Sequence, residues 1–82
     1  MKLISIIKEF EAIALDMQIK IINGRGNFDG GFCLLKSEKT IVINKLKPLE
    51  HRVQSLAKAF SQLDTSQIYL KPIIRELIES VK

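Results

Sequence analysis

The sequence predicts a small α+β domain spanning residues 1–82, a three-stranded, mainly antiparallel sheet with helices packed on it in the order α-β-β-β-α-α. Three observations predict it. Residues 48–64 repeat apolar side chains at helical spacing, two strand-like runs at 31–36 and 39–44 are joined by a very short polar connection, and both ends of the chain are amphipathic at helical period.

In the first helix, residues 2–16, Leu3, Ile6, Ile7, Phe10, Ile13 and Ala14 share one face, and Met17 continues the line. Ile4 and Leu15 lie off that stripe, which implies a second covered surface, met by the body of the domain or by another copy. The segment 18–22, Gln-Ile-Lys-Ile-Ile, alternates and is rich in β-branched residues, as a strand is. It is broken by Asn23-Gly24-Arg25-Gly26-Asn27, whose residues favour left-handed and turn conformations.

This loop runs on through Phe28, Asp29, Gly30 and Gly31 and imitates a phosphate cradle. It lacks the lysine and Ser/Thr that follow the glycines of a P-loop, and it opens onto a strand where a nucleotide motif needs a helix. A wide turn or bulge is the expected structure. The runs 31–36 and 39–44 then form a β-hairpin across Ser37-Glu38. Successive apolar residues in both (Cys33, Leu34, Leu35; Ile41, Val42, Ile43) call for covering on both faces, or on one face plus a subunit contact.

The central helix starts at Pro48, whose missing N–H has no intrahelical acceptor at the first position. Leu49, Val53, Leu56, Ala57, Phe60 and Leu63 fall within an arc of about 120°, a core-facing stripe. Opposite it His51, Ser55, Lys58 and Gln62 form one polar ridge, the face that a partner or solvent meets. Asp64, Thr65 and Ser66 end the helix, 67–70 form a short extended connector, and Pro72 opens a last helix with Ile73, Ile74, Leu77, Ile78 and Val81 on its apolar face.

At 82 residues, 46% hydrophobic and 27% charged, the chain is expected to fold as one domain with a thin stability margin. Small cores are often supplemented by disulfides, metal or self-association. Cys33 is the only cysteine, so a homodimer is the expected supplement, and no cofactor or metal is called for. No apolar run approaches a membrane span, and Lys8, Glu9 and Glu11 interrupt the apolar start too early for a secretory signal, so the expected location is the cytoplasm.

The formal charge is +4, and residues 36–58 hold all of the excess, with six basic residues against Glu38 and Glu50. Such a patch meets RNA, DNA or an acidic protein surface, or it solvates the strands and protects a sheet edge. The candidate contacts for a partner or an anion are Arg25, Phe28, Lys36, Lys39, Lys45, Lys47 and Arg52.

The hairpin, Ile41-Val42-Ile43-Asn44, the short link and a helix carrying Glu50-x-Arg52-x-x-x-Leu56-Ala57 resemble, over about residues 31–63, the start of the compact zinc metallopeptidase domain of the ImmA/IrrE type. In that family Leu-Ala leads into His-Glu-x-x-His. The resemblance puts Lys58 and Gln62 at the positions of the metal histidines and Ala59 at that of the general-base glutamate, so it implies a scaffold without its metal.

Other catalytic sets are equally incomplete. A Cys33–His51 dyad conflicts with the apolar run around Cys33, and Glu9, Glu11, Asp16, Glu76 and Glu79 fall on predicted solvent faces. The expected function is therefore a non-catalytic protein-interaction module, with weak RNA or DNA binding through the basic patch as the alternative. Against that alternative stands the lack of a second aromatic spaced for base stacking.

Overall fold

The computed structural model describes residues 2–28, 30–35 and 38–82; the readings on Asp29, Lys36 and Ser37, and on the side chains of Cys33, Leu34 and Leu35, lie outside the described residues. Helix α1 (Leu3–Asp16) forms where the apolar stripe predicts it and buries Ile6, Phe10, Ile13 and Ala14. Ile4 and Leu15 remain exposed, at 45% and 78%, so the body of the domain does not cover the second surface inferred for them.

Strand β1 (Lys20–Gly24) begins two residues later than its alternation predicts. Gln18 is the reason: it takes φ +59°, while its N–H bonds to the Leu15 carbonyl and that of Ile19 bonds to the Ala14 carbonyl, at 3.1 and 2.8 Å. These two bonds close α1 as a Schellman motif, in which glycine usually holds the left-handed position. A glutamine there leaves no composition signal.

Strands β2 (Gly30–Leu35) and β3 (Glu38–Asn44) form the expected antiparallel hairpin, with Phe32 opposite Ile41 and Leu35 opposite Glu38. The sheet order is β1-β3-β2, and β1 runs parallel to β3, Ile21 beside Ile41 and Asn23 beside Ile43. The sheet is therefore mixed, one antiparallel pair beside one parallel pair, so the mainly antiparallel arrangement expected holds roughly, with the parallel pairing of β1 added to it. The physical cause is the loop after Gly24, which passes over the end of β3 and delivers β2 to the far side; the hairpin itself then serves as the long connection that parallel strands need.

Helices α2 (Leu49–Ser61) and α3 (Pro72–Ser80) complete the α+β fold. Pro48 caps α2 from just outside and does not occupy its first turn. The helix ends three residues short of Asp64, where Gln62 and Leu63 tighten onto the carbonyls of Ala59 and Phe60.

Three layers result. The sheet carries α1 over β1 and α2 over β2 and β3, and α3 packs on α1 and α2. Phe10 and Phe60, both fully buried, meet at 5.1 Å between ring centroids and join the two inner helices; such a pair adds roughly 0.5–1.5 kcal/mol beyond its burial. Ile41 and Ile43 close the core from the sheet side, whereas their neighbour Val42 is half-buried on the opposite face beside Ile22. Among the described residues no helix is long and apolar enough to cross a membrane.

Candidate functional site, a groove between α2 and the edge of the sheet

The polar ridge of α2 does not simply face solvent. His51, Ser55, Lys58 and Gln62, with Gln54 and Ala59, line one wall of a groove of about 220 Å³ whose other wall is Gly30, Gly31 and Phe32 of β2. Because β3 is central, β2 is an edge strand, and alternate backbone N–H and C=O groups along it point away from the sheet.

Local backbone chemistry opens this groove. Gly30 has φ +94°, and a Cβ there would stand 2.5 Å from the Val42 carbonyl oxygen, so only glycine lets β2 lie this close to β3. At Gly31 a Cβ would meet nothing within 4 Å, which places empty space beside the strand edge. Ala59, 1% exposed although it lies off the apolar stripe of α2, is the small buried residue on the helix side.

One asparagine holds the loop that leads into β2. Buried Asn44 donates from Nδ2 to the carbonyls of Gly26 and Phe28, at 2.8 and 2.6 Å, and its Oδ1 accepts the Leu46 N–H at 3.0 Å. These partners fix the orientation of the amide, since only its NH₂ can serve two carbonyls. The Lys45 N–H adds a 2.8 Å bond to the Gly24 carbonyl. Phe28 then folds its ring over Gly24 and Gly26, where added Cβ atoms would lie 3.1 and 3.5 Å from it.

The structure divides the candidate contacts. Arg25, exposed, and Phe28, half-buried, lie with Lys45 and Lys47 around the loop at the end of β3, near the first turn of α2 and Arg52. Lys39 pairs with Leu34 near the other end of the hairpin, five residues from Asn44 and about 17 Å away at a strand's rise. Lys36 lies outside the described residues. Lys58 and His51 were not among those contacts, yet they are the basic groups of the groove; their place on the ridge was the signal that could have found them.

Electrostatically the groove is one-sided, since its described lining holds an ammonium, an imidazole, two amides and a hydroxyl and no carboxylate. Among the described residues no carboxylate pairs with Lys58. A larger cleft of about 400 Å³ lies between α3 and the α2–α3 connector, but there Arg75 and Lys82 are balanced by Asp64 and Glu79, with Lys82 Nζ 3.5 Å from Glu79. That balance favours no ligand charge.

The positions that the metallopeptidase resemblance assigns to zinc chemistry, Lys58, Ala59 and Gln62, all line the α2–β2 groove. They do not fit a divalent cation, because an ammonium repels it, an amide is a weak ligand and alanine offers nothing. Among the described residues no three His, Cys, Asp or Glu side chains come together to hold a metal. Comparison with protein-family models, with curated proteins and with solved structures finds no match.

Proposed function

We propose that this chain is a non-catalytic interaction module that takes up an extended segment of another protein alongside β2. The observation that carries the reading is the coincidence of an open strand edge with a groove whose far wall is the polar ridge of α2. Strand addition draws its affinity from main-chain hydrogen bonds and its selectivity from side chains placed alternately in a neighbouring groove. Gly31 supports it, since a Cβ there would meet nothing within 4 Å and glycine in a strand commonly marks close approach of another backbone. On this reading the chain keeps the shape of the metallopeptidase scaffold it resembles, without the metal, and works in the cytoplasm.

The alternative, weak binding of RNA or DNA, is favoured by a different observation, the gathering of Arg25, Lys45 and Lys47 around the end of β3. Phe28, folded onto Gly24 and Gly26, gives that end little stacking surface. Amide chemical-shift mapping separates the two. An extended peptide is expected to move the signals of Gly30, Gly31, Phe32, Lys58 and Gln62. An oligonucleotide that moves Arg25, Lys45 and Lys47 more strongly, with steep salt dependence, would replace the first reading by the second.

A further inference from the structure

Resting on that reading of β2 as the docking edge, we propose that the segment it takes up is acidic, with Asp or Glu at alternate positions facing α2, and that Lys58 selects it. The described lining offers hydrogen-bond donors on the ridge of α2 from Gln54 and Gln62 and one ammonium, and it holds no carboxylate to neutralise that ammonium. Lys58 is exposed, and among the described residues its charge is not paired within the protein. Glu50, the one carboxylate of α2, sits in the first turn, eight residues and about 12 Å of helix away.

An added strand presents every second side chain to the same side, so a run with acids at alternate positions offers a carboxylate to the groove in each of the registers, two residues apart, that turn its acids toward α2. The absence of a side chain at Gly31, where a Cβ would meet nothing within 4 Å, leaves room beside the edge for an incoming strand whose acidic side chain extends toward Lys58. The net charge of +4 assists the encounter and makes it sensitive to salt.

The test is fluorescence anisotropy with labelled octapeptides that alternate valine with aspartate, asparagine or lysine. The aspartate peptide should bind about fivefold more tightly than the asparagine peptide, the span of one partly exposed ion pair, and the lysine peptide should bind most weakly. Lys58→Glu, a change at an exposed position, should reverse the order of the charged peptides. Equal binding of the aspartate and asparagine peptides, or an order that survives Lys58→Glu, overturns the acid preference and leaves the docking edge standing. Absence of binding by all three peptides at millimolar concentration, or equal binding of an aspartate peptide with an N-methylated backbone, removes the docking edge and the proposal with it.

Discussion

Replacing Asn44 should be among the most damaging single polar changes in this chain, because one side chain joins β3, the crossing loop and the start of α2. Asn44→Ala deletes three hydrogen bonds, to the carbonyls of Gly26 and Phe28 and from the N–H of Leu46. At about 1 kcal/mol each the loss is about 3 kcal/mol. For 82 residues the whole folding free energy is roughly 4–12 kcal/mol, so the variant sits near the edge of folding.

Urea unfolding followed by circular dichroism reads the effect directly. With a slope of about 1 kcal/mol per molar, the midpoint should fall by about 2–3 M at an unchanged slope. Asn44→Asp sharpens the case. It keeps the acceptor for Leu46 but sets a carboxylate oxygen against two carbonyl oxygens, so at neutral pH it should be at least as unstable as the alanine variant. The folded-state pKa of that aspartate is raised, the native state binds the extra proton, and stability relative to the parent falls as pH rises above the unfolded value of about 3.9. A cost below about 0.5 kcal/mol for the alanine variant, or parental stability of the aspartate variant at pH 7, would refute this account of the loop.

Three further outcomes follow from individual residues. Gln18→Gly should stabilise the protein by about 0.5–1 kcal/mol, the left-handed penalty less the added freedom of the unfolded chain, and thermal unfolding that shows a loss would contradict the Schellman closure of α1. Asp64 should titrate below the usual aspartate value, because hydrogen bonds from the Ser66 side chain and backbone stabilise its charge, one of them the Ser66 N–H at 3.0 Å; Ser66→Ala should raise its NMR titration midpoint. Its folded pKa is depressed, so the connector is supported above the unfolded pKa and loses that support as pH falls through the folded one. A homodimer packed on Ile4 and Leu15 of α1 predicts twice the monomer mass in sedimentation at tens of micromolar and a return to monomer with Leu15→Ser; a monomeric parent removes self-association from the account.

The helices were legible because burial imposes a period on the sequence. Val53, Leu56, Ala57 and Phe60 occupy the buried face of α2 that the wheel assigns, and the opposite ridge lines the groove as a unit. Ala59 was not legible, since it is buried off the stripe. Strand order has no local signature, so the parallel pairing of β1 with β3 stayed hidden behind a loop that looked like an ordinary turn. Asn44 stood in plain view at the end of an apolar strand, two residues before the N–H it accepts, which is the spacing of an Asx turn; its longer reach to Gly26 and Phe28 depends on the crossing that the sequence does not announce.

Hydrogen exchange at the outward amides of β2 is the most direct measurement of whether this edge receives another strand. Adding the alternating valine–aspartate peptide should slow exchange at those amides while leaving the buried amides of β3 unchanged, because only main-chain pairing protects an edge. A bound peptide that leaves the β2 amides exchanging at their free rates would contradict the account, and the binding surface would have to lie elsewhere on the domain.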